Sequence, residues 1–223
     1  MSASLITLRG VAKFYGDRLV FKGLDLEIPA GRVLLVVGVN GAGKSTLLRV
    51  LAGLASPSAG QVEHALDKGR MAYLGHQTFL YGEATARENL RFWTRLQGLR
   101  LDDQALDAAL ARVGLAQYAE EQAGNFSRGM AQRLNLARVF CLSPPLLFLD
   151  EPDTGLDERS KGFLHRQIEE LRAAGGAVVW VSHHLERDLP RADDVLHLEK
   201  GRAGYFGPVA GFDASVMSGA STC

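Results

Sequence analysis

Apolar and polar positions along this chain switch repeatedly between two periods. Leu5–Arg9 and Leu19–Ile28 read as strands, the second with Leu24, Leu26 and Ile28 in alternation. Val33–Val37 is a continuous apolar run, which predicts a strand covered on both faces. A helix is predicted over Lys44–Leu54, then short strands at Gln61–His64 and Met71–Leu74. From Ala86 to about Arg138 the strand signal disappears. Leu90, Phe92, Trp93 and Leu96 recur at helical spacing, as do Leu106, Leu110 and Val113, and Gly98 and Gly114 punctuate the two runs. Alternation then resumes with strand Leu146–Leu149, helix Arg159–Ala173, strand Ala177–Val181, a short helix near Leu185–Leu189 and strand Val195–Leu198. This order predicts a parallel α/β core with a helical insert. The core is assigned to 1–85 and 136–206 and the helical subdomain to 86–135. The stretch 207–223, rich in small residues, is expected to be a poorly ordered tail.

Gly38-Val39-Asn40-Gly41-Ala42-Gly43-Lys44-Ser45 fits the pattern GxxxxGK[ST] between an apolar strand and a helix. The chemistry needs that context. Gly38, Gly41 and Gly43 let the loop wrap tightly, so that backbone N–H groups from Asn40 and Ala42 on to Thr46 converge on a polyphosphate. Lys44 should reach the β- and γ-phosphates, and the Ser45 hydroxyl should bind Mg²⁺. Leu146-Leu147-Phe148-Leu149-Asp150-Glu151 is an apolar strand ending in two acids, a costly arrangement unless the charge is paired. Mg²⁺ held by Asp150 and a water activated by Glu151 as general base would account for both. A helix cap or solvated turn is the other reading, since Pro152 and Gly155 follow.

The conjunction of the phosphate loop, the helical insert, Phe126-Ser127-Arg128-Gly129-Met130, Leu149-Asp150-Glu151-Pro152, Thr154-Gly155-Leu156-Asp157 and Ser182-His183 resembles the ATPase subunits of ABC transporters. The resemblance spans about Leu5 to Phe206. It implies a P-loop NTPase (RecA-like) core, a small antiparallel β subdomain and an inserted helical signature subdomain. It also implies ATP as substrate and Mg²⁺ as cofactor. Tyr15 then stacks on adenine, or else packs in the core beside Phe14. Gln77 is implied as a Mg²⁺ ligand that links the site to the helical insert. Ser127 and Gly129, at a helix N-terminus, face the γ-phosphate held by another protomer of a homodimer or pseudo-dimer. Asp157 helps couple the two sites. His183 senses the γ-phosphate, while His184 is a surface residue. Arg128, Met130 and Val39 depart from the usual Gly, Gln and Pro, whereas Glu151 is intact, which predicts a hydrolytic site. Integral membrane permease subunits are the implied partners, docking near Phe79–Asn89, where Phe79 and Tyr81 lie beside Glu83.

Tyr73-Leu74-Gly75-His76-Gln77, followed by Leu80 and Thr85-Ala86-Arg87-Glu88-Asn89-Leu90, is similar to one subgroup, the ATP-binding subunits of the cytochrome c maturation haem exporter. His76 reads as a packed or hydrogen-bonding residue rather than a haem ligand. An exporter ATPase for drugs, lipids or polysaccharides stands beside this reading, since substrate choice lies in the membrane chain. A soluble ABC ATPase of translation or repair would need a second phosphate loop or a heptad run, and this chain has neither. A regulator that binds ATP without cleaving it is disfavoured by Glu151 and His183.

Composition narrows the classes further. With 47% hydrophobic residues, 223 residues build a sizeable core. Lys+Arg and Asp+Glu each total 25, and the zero net charge argues against a nucleic-acid partner. No apolar run approaches the roughly 20 residues that span a bilayer. Met1–Gly10 lacks a signal-peptide pattern. The expected location is therefore peripheral, on the cytoplasmic face of the cell membrane. Cys141 and Cys223 form no paired metal or haem-attachment motif, and no disulfide is expected.

Overall fold

Two sheets organise the computed structural model, which describes residues 4–75 and 77–216. His76 and Cys223 lie outside the described residues. In chain order, β1 (Ser4–Tyr15) and β2 (Arg18–Pro29) form a hairpin, and β3 (Val33–Val37) leads to α1 (Lys44–Leu51). β4 (Ala59–His64) and β5 (Met71–Leu74) precede α2 (Ala86–Leu96), α3 (Asp103–Arg112) and α4 (Arg128–Phe140). Then follow β6 (Leu146–Asp150), α5 (Glu158–Ala173), β7 (Ala177–Val181), α6 (Leu185–Asp188), β8 (Asp194–Glu199) and β9 (Arg202–Pro208). The small sheet is antiparallel in the order β2-β1-β4, and the large sheet runs β5-β6-β7-β3-β8-β9. All pairings in the large sheet are parallel except β8 with β9.

The central strands are apolar because both their faces are covered. β3, β6 and β7 are buried at every position. Successive side chains point to opposite faces, so each strand feeds two cores. Leu35, Leu147, Leu149 and Trp180 pack with Leu90, Leu106, Leu134 and Phe163 of the helices α2 to α5. Leu34, Val36, Phe148 and Val179 pack with Leu47 and Leu48 of α1 and with Phe21 and Leu24 of the small sheet. Burying each such side chain contributes about 1.5–3 kcal/mol.

Helix starts follow local chemistry. Thr85 and Glu88 form a reciprocal capping box on α2, with Glu88 N–H to Thr85 Oγ1 at 3.2 Å and Thr85 N–H to Glu88 Oε2 at 2.8 Å. Asp102, Ser127 and Asp157 cap α3, α4 and α5.

Three expectations need correction. First, α1 stops at Leu51 rather than Leu54. Gly53 takes φ 68°, its N–H bonds Val50 O, and Leu54 N–H bonds Arg49 O, which is the backbone closure that ends a helix. Second, the first strand runs to Tyr15, well past Arg9. Third, β9 was not expected. It crosses residue 207, and beyond it Val209 N–H bonds Asp193 O at 3.0 Å while Phe212 packs on Tyr205 and His197. Residues 207–212 are therefore fastened to the large sheet rather than loose. Among the described residues, no helix is long and apolar enough to cross a membrane.

Candidate functional site: a phosphate loop facing two acids

The loop between β3 and α1 can close only with glycine at two points. Gly38 has φ 151°, and a Cβ there would lie 2.5 Å from Leu198 O. Gly43 has φ 99°, and its Cβ would lie 2.6 Å from Val20 Cγ1. Lys44, the first residue of α1, curls back over the loop, with Nζ donating to Gly38 O at 2.8 Å and Val39 O at 3.1 Å. Burial lowers its pKa, opposed by the nearby carboxylates of Glu151 and Asp150. An ammonium so placed is ready to exchange two carbonyl contacts for phosphate oxygens.

Asp150 closes β6 and is 1% exposed. Ser45 Oγ donates to its Oδ1 at 2.8 Å, and the Tyr73 hydroxyl donates to its Oδ2 at 2.8 Å. Burial chiefly, then the Asp150 charge, raises the pKa of Tyr73, so the phenol stays a donor. Glu151 has φ 52°, a conformation that costs a non-glycine residue about 1–3 kcal/mol and is kept at functional sites. Its N–H bonds Val181 O at 3.1 Å. Nε2 of His183 hydrogen-bonds the Glu151 carboxylate. A hydroxyl and a carboxylate in contact beside an ammonium suit a hard dication bound with polyphosphate, so the residues present fit Mg²⁺.

Lys44, Ser45, Glu151 and His183 line a cleft of about 400 Å³, and the buried Asp150 stands behind Ser45 without lining it. Asn40, Gly41, Gly43, Lys44, Ser45 and Thr46 form one wall, with Glu151 and His183 opposite and Tyr15 at the side. Tyr15 is 54% exposed and carries Lys13 Nζ 5.0 Å above its ring, so it is not a core residue. Phe14 is likewise exposed. Arg18, Leu19 and Val20 also line the cleft and were missed from sequence. Their only signal was proximity to Tyr15. Ala42 shapes the loop by packing on the core.

Four expected site residues lie elsewhere. Gln77 is exposed on the segment after β5 and does not line the cleft. Ser127 Oγ accepts from Met130 N–H at 3.2 Å as the cap of α4. Gly129, in the first turn of α4, approaches Gly155 of the loop after β6, and neither Ser127 nor Gly129 lines the cleft. Asp157 Oδ1 accepts from Ser160 N–H at 2.8 Å, and the Ser160 hydroxyl first, with this N–H second, lowers the Asp157 pKa.

A second feature lies beside the helical insert. Asn89 is fully buried and organises the loop before α2. Its Oδ1 accepts from Tyr81 N–H at 2.8 Å, and its Nδ2 donates to Tyr81 O at 3.0 Å and Thr85 O at 3.0 Å. Phe79 and Tyr81 remain half exposed, and Tyr81 meets Phe92 edge to face at 4.7 Å. Phe79 lines a groove of about 330 Å³ with Leu54, Tyr73, Trp93 and Arg138.

Comparison with known proteins agrees with this geometry. The family described as ABC transporter matches residues 21–154. The chain is 40% identical over 211 residues to the cytochrome c biogenesis ATP-binding export protein CcmA of Paramagnetospirillum magneticum, covering 90% of this chain and 96% of that protein. It is 37% identical over 213 residues to the daunorubicin resistance ATP-binding protein DrrA3 of Streptomyces coeruleorubidus, covering 91% and 67%. A solved ATP-binding subunit of an ABC transporter superposes with a TM-score of 0.87 at 24% identity, covering 96% of this chain and 98% of that one, which shows the fold. The fold, the phosphate loop and these relatives lead to one conclusion: the chain belongs to the ATP-hydrolysing subunits of ABC transporters.

Proposed function

We propose that this ATPase powers the haem exporter of cytochrome c biogenesis. The observation that carries the catalytic part is the convergence of Lys44, Ser45, Glu151 and His183 on one cleft, with Asp150 bonded to Ser45 behind it. The likeness to cytochrome c biogenesis export proteins, across nearly the whole length of this chain, supports the transport assignment.

In this reading the loop N–H groups and Lys44 hold the triphosphate, and Tyr15 stacks on adenine. Ser45, Asp150 and Gln77 would hold Mg²⁺, which neutralises charge on the β- and γ-phosphates when bound. Glu151 accepts a proton from the attacking water, and His183 contacts the γ-phosphate. Ser127 and Gly129 do not line the cleft of their own chain. They act across a homodimer, closing the site of a second copy, with Asp157 nearby. Loss of the γ-phosphate removes those contacts and loosens the dimer. The groove beside Phe79 and Tyr81 receives a helix of an integral membrane permease, which places the chain peripherally at the cytoplasmic face.

The test is purification of the tagged chain from native membranes in mild detergent, with identification of the proteins that accompany it. Multi-spanning proteins of cytochrome c maturation are the expected result. An unrelated permease would instead favour a drug-type exporter, as the likeness to a daunorubicin resistance protein allows.

A further inference from the structure

Behind the contact between Glu151 and His183 lies a charge network, two buried carboxylates on a partly exposed arginine, that the sequence patterns did not single out. Asp153 follows Glu151 closely and is 8% exposed, and Asp188 on α6 is fully buried. Ser182, the neighbour of His183, donates its hydroxyl to Asp188 Oδ2 at 2.5 Å and accepts from His184 N–H at 2.9 Å. Arg187 donates Nε–H to Asp188 Oδ1 at 3.0 Å and reaches the Asp153 carboxylate with its terminal nitrogen. An unbroken path of Ser182, Asp188, Arg187 and Asp153 therefore ties the loop after β7 to the loop after β6. Those are the loops that carry His183 and Glu151.

A metal ion is the first alternative occupant to weigh, because Asp153, His165 and Asp188 bring ligand-type atoms within 4.8 Å of one another. Charge decides against it. Arg187 already contacts both carboxylates, and Arg191 stands beside His165. Arg187 and Arg191 together already match the two carboxylates, so a dication would leave the cluster with excess positive charge. The cation of this cluster is Arg187, and its role follows from its shape. A planar guanidinium can fork to two carboxylates at once, which an ammonium cannot.

The backbone beside the network supplies a reason for it. Glu151 sits at φ 52°, a strained conformation that persists only where the surroundings over-determine it. We propose that Arg187, with Asp153 and Asp188, is a positioning residue for ATP hydrolysis, clamping the Glu151 loop against the His183 loop. This rests on the roles given above to Glu151 and His183.

The test compares steady-state ATPase and ATP affinity of the full chain with its membrane partner for Arg187→Lys, Asp153→Asn and Glu151→Gln. Arg187→Lys and Asp153→Asn are expected to lower kcat about 10-fold or more, as misplacement of a catalytic group does, while ATP affinity stays unchanged. In a His183→Ala background the same substitutions are expected to add little further loss, since they act through that contact. Wild-type rates in both variants overturn the clamp. So does a loss that recurs in full beside His183→Ala, or one that follows lost ATP affinity. Failure of both variants to fold also overturns it, because the network would then be a folding element. Glu151→Gln separates the two claims. Retained ATPase there defeats the reading of Glu151 itself, whereas its loss alongside wild-type Arg187→Lys defeats the clamp alone.

Discussion

Tyr73 and Asp150 come from neighbouring parallel strands, and the phenol donates to Asp150 Oδ2 at 2.8 Å while Ser45 holds Oδ1. The carboxylate is thus oriented from both sides. Tyr73→Phe removes one of these bonds from a buried, charged acceptor, at a cost of roughly 1–3 kcal/mol in stability. It should also raise the Mg²⁺ concentration needed for tight nucleotide binding, since Asp150 would be less well oriented. Thermal unfolding and a Mg²⁺ titration of nucleotide binding check the two effects. Unchanged Mg²⁺ dependence would remove Tyr73 from the metal site.

Glu151→Gln keeps the shape of the side chain and removes its basicity. ATPase activity should fall by about 10²–10⁴-fold, the range for a general base, while ATP binding persists. The variant should accumulate as an ATP-bound dimer, measurable by gel filtration with nucleotide.

Asp157 caps α5, and the cap is separable from any role between subunits. Asp157→Ala should cost about 1 kcal/mol, whereas Asp157→Asn, a good cap, should cost little. The hydrogen bond from Ser160 holds the folded pKa of Asp157 below its ordinary 3.8. Its contribution is therefore complete above that value and disappears as pH falls through the lowered folded pKa. Thermal melts at neutral and acid pH read this directly, with the two variants converging on wild type in acid. If Asp157→Asn keeps stability yet loses coupled ATPase, the residue also acts across the dimer.

Phe79 and Tyr81 are half exposed on a loop fixed by Asn89. Replacing both with Ala should cost roughly 1–3 kcal/mol, because half-buried aromatic area and the edge-to-face contact of Tyr81 with Phe92 are lost, while the fold is kept. ATP binding should be retained and stimulation of ATPase by the membrane partner lost. Persistence of both coupled ATPase and transport would move the docking surface elsewhere.

The sequence by itself determined the phosphate loop, the acidic end of β6 and the order of strands and helices. Each of those is local. An apolar run fixes a buried strand, glycine spacing fixes a tight loop, and a charge at a strand end demands a partner. Thr85 and Glu88 likewise announce the start of α2 within four consecutive residues. What only the tertiary structure decided depends on partners distant in the chain. β9 is poor in apolar residues and exists because β8 offers it a free edge. Tyr15 reads from the family resemblance as an adenine-stacking residue with a core position as the alternative, and the small sheet, by turning it outward beside the phosphate loop, decides against the core. Asp153, Arg187 and Asp188 belong to no motif, and only the adjacency of the loops after β6 and β7 buries the two carboxylates and brings Arg187 to both. A charge leaves no periodic trace, so its burial can be read only when the chain has brought its counter-ion to it.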